Sequence, residues 1–204
     1  MISTAAFLAL SLQCAPDIHQ DTLLTLAKTE SGLNQYAVSV VGGEPLTQQP
    51  KSEEEARSAI SILDKAGLTY SLGLTQVYVK NLSKEELSTI FDPCTNIKKG
   101  AEILKGCYSR ALAKFPDSNE QKNLLNAFSC YYSNNFTRGY KKENIDGLSY
   151  VDRIVKNNVV SDEKNTVPKL SPDQSTFPEN PIATPQPTDK KDHKKWDIYQ
   201  DFNA

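Results

Sequence analysis

The chain has 204 residues, enough for one substantial domain with some chain to spare. Its 23 basic and 25 acidic residues nearly cancel to a formal charge of −2, which removes any broad electrostatic case for nucleic acid or an anionic membrane as partner. No apolar run approaches the ~20 residues that cross a bilayer, so no membrane-spanning segment is expected.

The N-terminal stretch "MISTAAFLALSLQCAPD" has an apolar core without a basic flank. We read "AAFLALSLQC" as a first core helix, with Phe7, Leu8 and Leu12 on one side. The other reading, the apolar segment of an atypical export signal, stays open at this level. In "TLLTLAKTESGLN", residues Leu23, Leu26, Ala27 and Glu30 follow at i, i+3, i+4 and i+7, the inward stripe of an amphipathic helix. Gly32 is its stop signal. A carboxyl therefore stands where an apolar side chain belongs, in the last turn of a helix.

"NQYAVSVVGGEPLTQQP" combines alternation at Tyr36, Val38 and Val40 with Gly-Gly and two prolines, which predicts a small β-ribbon and a long loop. Ser52 and Glu55 form a capping box for the helix "EEEARSAISILDKA", closed by Gly67. "LTYSLGLTQVYV" is a second strand-like stretch, and Ser83 with Glu86 caps the short helix "KEELSTI". A long helix from Asn96 to Phe115 turns Ile97, Ala101, Leu104, Tyr108, Ala111 and Phe115 inward, and Pro116 ends it. Asp92, in "FDPC", is read as a helix cap. The next helix begins at Ser118 and runs into "SCYYSNNFTRGY"; a last one, "YVDRIVKNNVV", is capped by Ser149 and buries Val151, Ile154 and Val155.

Beyond residue 160 the composition shifts to proline and polar residues, which cannot offset the entropy of ordering a core. Residues 1–160 are therefore expected to form a mostly helical α+β domain with a small β element. Residues 161–195 read as a disordered, Pro-rich linker. Residues 196–204, "WDIYQDFNA", gather the only tryptophan with Ile198, Tyr199 and Phe202 into a candidate docking motif, or else an untethered terminus. Four widely spaced cysteines, Cys14, Cys94, Cys107 and Cys130, allow two disulfides in three connectivities, and buried thiols fit the spacing equally well. His19 and His193 are far apart and no C-x-x-C occurs, so no metal site and no cofactor is expected.

Burial disfavours the charged form of a carboxyl, and the negative end of a helix dipole pushes the same way. Both effects raise the pKa of Glu30 toward about 6–7, where a carboxyl can act as a general acid. Left to itself, a lone glutamate at such a position would sooner snorkel to water or pair with a cation. Its company argues otherwise. "ESGLN" (30–34), "GLTQV" (73–77), "SCYYSNNFTRGY" (129–140) and "SYVDRIV" (149–155) occur in that order. The set resembles the goose-type lysozyme and Slt-type lytic transglycosylase superfamily, whose pattern is E-S, G-L-x-Q, A-Y-N and Y-V-x-x-V. "CAPDIHQDTLLTLAKTESGLNQYAV", "VGGEPLTQQPKSEEEA" and "FDPCTNIKKGAEIL" resemble one branch more closely, the small VirB-type transglycosylases of type IV secretion systems. The resemblance extends over roughly residues 5 to 160.

That resemblance implies a lysozyme-like fold and cleavage of the MurNAc–GlcNAc bond of peptidoglycan with formation of 1,6-anhydroMurNAc. It places Glu30 as catalytic acid and base, and Ser31, Gln76, Tyr131 and Tyr150 as substrate-binding or orienting residues. Ser31 is expected near the carboxyl or the sugar, Gln76 to bond an N-acetyl or hydroxyl group from the β element, Tyr131 to line the cleft, and Tyr150 to bring its hydroxyl to Glu30. No aspartate nucleophile is required, because the substrate's own N-acetyl group can assist. Implied partners are glycan strands and, through the tail, secretion-system subunits; the implied location is the periplasm. A hydrolytic lysozyme and a scaffold component with secondary wall cleavage are the alternatives. Two positions depart from the family pattern: Tyr132 replaces the asparagine of A-Y-N, and Tyr78 an asparagine that often follows G-L-x-Q.

Overall fold

A computed structural model describes residues 1–143 and 147–158. The proposed linker and docking motif lie outside the described residues.

Helix α1 (Thr4–Cys14) packs on α2 (Gln20–Ser31) and on α5 (Pro93–Lys114). It does not bury the face read from sequence: Phe7 and Ser11 are inside, while Leu12 is 59% exposed. The inward line runs Phe7, Ser11, Cys14, an i, i+4, i+7 spacing, and a disulfide from Cys14 to Cys94 at the start of α5 holds that face toward the core. Ser11 is tolerated inside because its hydroxyl donates back to the Leu8 carbonyl, 2.9 Å away. Helix α2 buries Leu23, Leu24, Leu26 and Ala27 completely, and Glu30 with them. Gly32 ends it at φ 57°, a left-handed conformation that glycine adopts without Cβ strain.

Strand β1 (Val38–Val41) pairs antiparallel with β2 (Thr69–Leu72), and β2 with β3 (Val77–Tyr78), in a three-stranded sheet. The stretch read as one strand is thus a hairpin, and Gly73-Leu74-Thr75-Gln76 is its turn. Gly73 (φ 76°) and Gln76 (φ 50°) both take left-handed backbone there. Helix α3 (Glu53–Lys65) packs on β1 and β2. Ser52 caps it, but Glu55 accepts from the Lys51 N–H at 2.7 Å instead of the Ser52 N–H, so the expected reciprocal box is half formed. Its far end closes as a Schellman motif, with Gly67 N–H on Asp64 and Leu68 N–H on Leu63.

Helix α4 (Lys84–Thr89) carries the complete Ser83–Glu86 capping box. Helix α5 begins three residues before the expected Asn96, because Asp92 caps it and Pro93 supplies a preset first turn. It buries the predicted stripe from Ile97 to Ala111, while Phe115, expected inside, is the C-cap and only half-buried; the helix lies against α6 (Glu120–Ser133), whose cap is Asn119, one residue after the expected Ser118. A second disulfide, Cys107–Cys130, ties α5 to α6. Helix α7 (Tyr150–Lys156) has the Ser149 cap and buries Val151 and Ile154; Val155 is half-buried. No helix among the described residues is long and apolar enough to cross a membrane. The whole is a helical shell around one core, with the small sheet at the end of α2 where Glu30 sits.

Candidate active site

Glu30 occupies the last turn of α2 and is 3% exposed. Burial pushes its carboxyl from the ordinary 4.5 up to about 8, and a hydrogen bond from the Tyr150 hydroxyl draws it partly back down. That bond joins residues 120 apart in sequence. At neutral pH the carboxyl is therefore mostly protonated: it can give a proton to a neighbouring oxygen and take one back afterwards. Tyr150 is itself buried, as first residue of α7, and Asn157 at the other end of that helix donates to Thr29 Oγ1 at 3.1 Å. Both ends of α7 are thus tied to the last turn of α2, one at Glu30 and the other at Thr29.

The Gly73–Gln76 turn lies against the end of α2, where Ser31, Tyr131 and Asn96 hold it. Ser31 Oγ donates to the Leu74 carbonyl at 2.7 Å and lies 3.1 Å from the Ala27 carbonyl. Its proton is committed to backbone, and it makes no hydrogen bond to Glu30. Tyr131 Oη donates to the Thr75 carbonyl at 2.6 Å. Burial raises the Tyr131 phenol, and the negative charge of Glu30 adds to the rise, so this ring is a neutral donor at every working pH. Asn96 Oδ1 accepts from both Thr75 N–H and Thr75 Oγ1 at 2.8 Å, while its Nδ2 donates to Leu72 and Ile90 carbonyls. Two glycines permit this approach: a Cβ on Gly73 would lie 2.2 Å from Asn96 Nδ2, and one on Gly100 would lie 2.4 Å from Thr75 Oγ1. Nothing in the sequence separated Asn96 from an ordinary first-turn helix residue. Its close approach to the glycine of the turn, 23 residues earlier, exists only in the folded chain.

Gln76 belongs to this turn and not to a strand. Its Nε2 donates to Gly73 and Ala37 carbonyls at 2.9 and 3.2 Å. Its Oε1 is buried and has no hydrogen-bond partner among the described residues. A buried acceptor left open in this way is costly unless a donor arrives from outside the chain, and a sugar hydroxyl or amide N–H is such a donor.

The two departures from the family pattern have structural partners. Tyr78 donates to Thr69 Oγ1 at 3.3 Å across the sheet. Tyr132 stacks on the Tyr150 ring, with centroids 4.5 Å apart and planes 14° from parallel, and donates to Glu143 Oε1 at 2.9 Å. No group of three or more His, Cys, Asp or Glu suited to a metal occurs among the described residues.

Residues 7–145 match the transglycosylase SLT domain. The type IV secretion system protein virB1 of Brucella suis biovar 1 (strain 1330) is 40% identical over 189 residues, covering 90% of this chain and 78% of that protein. The virB1 protein of Brucella abortus biovar 1 (strain 9-941) matches to the same extent. Protein virB1 of Agrobacterium fabrum (strain C58) is 29% identical over 144 residues, 68% of this chain and 56% of its own length. No solved structure matches.

Proposed function

From the premise that the chain belongs to the transglycosylase SLT family, we propose that it is a peptidoglycan lytic transglycosylase of the cell envelope, acting in type IV secretion as its virB1 relatives are named for. The observation that carries this reading is the buried, proton-retaining Glu30 held by Tyr150. In the proposed reaction Glu30 donates its proton to the glycosidic oxygen between MurNAc and GlcNAc. The C1–O bond breaks, the GlcNAc oxygen leaves protonated, and the substrate's N-acetyl group steadies the positive charge at C1. Glu30, now a carboxylate, takes the proton from the MurNAc C6 hydroxyl as that oxygen bonds to C1, giving the 1,6-anhydro sugar and restoring the acid. This sequence calls on no metal or cofactor.

The open Oε1 of Gln76 is assigned to a donor on the glycan. Ser31 and Tyr131 are assigned to holding the wall that presents it, with the Tyr131 ring lining the cleft. Residues 1–160 are proposed as the catalytic domain, working in the periplasm. Residues 161–195 are proposed as a tether, and residues 196–204 as a short motif that docks to secretion-system subunits. A flexible tether would raise the effective concentration of the enzyme at nearby wall.

Digestion of purified sacculi with product analysis by mass spectrometry tests the reading. Anhydro-MurNAc ends, lost in Glu30→Gln, are expected. Reducing MurNAc ends would make the enzyme a lysozyme, and cleavage undiminished by Glu30→Gln would remove Glu30 as catalyst. For the tail, deletion of residues 161–204 is expected to leave cleavage of isolated sacculi intact and to abolish partner binding.

A further inference from the structure

Tyr150 touches Glu30 from a precarious place. Helix α7 has seven residues, about two turns, too few to hold a position by helix propensity alone. Its first residue must nonetheless keep a hydroxyl on one carboxylate oxygen. What steadies it is visible on the side of the ring away from α2.

Glu143 lies 8% exposed in the loop before α7, and both of its oxygens are engaged. Oε1 accepts from Tyr132 Oη at 2.9 Å, and Oε2 from Arg153 Nη2 at 2.9 Å. Arg153 comes from α7 itself and is 6% exposed. The loop backbone is closed around the same residue, with Glu143 N–H on the Leu148 carbonyl and Gly147 N–H on the Glu143 carbonyl. Tyr132, pinned at its hydroxyl and carried on the long helix α6, presents its face to the Tyr150 ring. A buried ion pair is weak grounds for added stability, because packed apolar residues would serve about as well. What this one supplies is direction: two donors from two helices meet one carboxylate, which sets the plane of the Tyr132 ring and hence of the ring stacked on it.

We infer that Tyr132, Glu143 and Arg153 form a positioning assembly that keeps the Tyr150 hydroxyl on Glu30. The consecutive tyrosines of α6 thereby serve two walls of one site: Tyr131 fixes the turn that carries Gln76, and Tyr132 fixes the ring that carries the proton partner of Glu30. The departure from A-Y-N at residue 132 is then a change in how the catalytic carboxyl is held. The inference rests on Glu30 being the acid.

Glu30 is faced by Tyr150 from α7 and by Tyr131 from α6; Tyr132 is faced by Glu143, Arg153 and Arg138. Replacing Glu143 or Arg153 would strand a buried charge and threaten the fold, so the test acts on Tyr132. Tyr132→Phe keeps the stack and loses the bond to Glu143; Tyr132→Asn loses both. Each is compared with wild type, Tyr150→Phe and Glu30→Gln. The measurements are kcat and KM on soluble glycan strands, melting temperature, and the titration of the Glu30 side-chain carboxyl carbon by NMR, assigned with Glu30→Gln.

Since the Tyr150 bond favours the ionised carboxyl, loosening it moves the Glu30 midpoint upward. Tyr132→Phe is expected to lower kcat several-fold with KM within twofold, and Tyr132→Asn to lower kcat by up to about 100-fold, the size of effect that an ångström of misplacement produces. The Glu30 midpoint should climb in the same order toward that of Tyr150→Phe. If Tyr132→Asn does not fold, Tyr132→Phe decides. A Tyr132 variant that melts earlier but keeps wild-type kcat and Glu30 midpoint makes the assembly merely structural and overturns the inference, with the role of Glu30 untouched. Activity surviving in Glu30→Gln overturns the role of Glu30 itself, and the NMR midpoint still reports whether Tyr132 acts on that carboxyl.

Discussion

Glu30 should cost the protein stability wherever it is ionised, and Glu30→Gln should reveal how much. In the unfolded chain the carboxyl titrates near its ordinary 4.5; in the fold, burial holds it at about 8. The native state therefore binds the proton more tightly than the unfolded state does. The stabilisation due to the neutral acid is complete below pH 4.5 and is lost as pH rises to 8. At 1.36 kcal/mol per pH unit, the loss is about 3 kcal/mol by pH 7 and just over 4 kcal/mol by pH 8. Glutamine can still accept from Tyr150 but carries no titrating proton. It does bury an amide donor that lacks a partner, at about 1–3 kcal/mol, so the variant is expected to be the weaker protein near pH 5 and the stronger one near pH 8. Urea unfolding of both proteins with disulfides intact, at pH 5, 6, 7 and 8, measures the difference. It should swing by about 3–4 kcal/mol in favour of the variant across that range, or roughly 6–16 °C in melting temperature for a domain of this size. Other carboxylates, such as Glu86 and Asp152, whose pKa values lie below the usual range, act at lower pH and cancel in the subtraction. If wild type and variant stay parallel from pH 5 to 8, Glu30 ionises like a solvated carboxyl and the general-acid argument fails.

The same protonation governs turnover: kcat/KM on glycan strands should fall about tenfold per pH unit above pH 8, as the acid form is lost. A basic limb near 5 would contradict this. Asn96→Ala removes the acceptor for Thr75 and the donor to Leu72 and Ile90, and should cost about 2–4 kcal/mol in urea unfolding while lowering kcat through the displaced Gln76 turn. Unchanged kcat would show that the turn keeps its place without Asn96. Of the disulfides, Cys14–Cys94 closes the longer loop, a separation of 80 residues against 23 for Cys107–Cys130. In the chain-entropy account, replacing the first pair by alanines should cost about 4.5 kcal/mol and the second about 3.4 kcal/mol. Melting temperatures in the opposite order would count against that account.

The reach of the sequence follows from the range of the forces that each feature uses. Helix ends were readable because their signals act within four residues: Gly32 after α2, the complete Ser83–Glu86 box, and Ser149 before α7 all occur where expected. The inward stripes of α2 and α5 were readable because one helical period describes both the sequence and the buried face. Where two solutions of similar local energy competed, the sequence chose poorly. Leu12 is outside because a disulfide 80 residues long and the packing of α2 and α5 decide how α1 is rotated. "SLGLTQVY" became a hairpin because Ser31, Asn96 and Tyr131, all distant in the chain, hold the left-handed turn that strand propensity alone would not predict.

By itself the sequence determined that a carboxyl would be carried into the apolar face of a helix, since spacing along one helix suffices for that. The family resemblance, and no local spacing, put the Tyr150 hydroxyl at that carboxyl; only the tertiary structure decided what holds it there, a second tyrosine stacked on its ring and a buried ion pair behind it. Those contacts join segments that no local pattern relates, and they form only once the packing of α2, α6 and α7 has brought the segments within hydrogen-bonding distance.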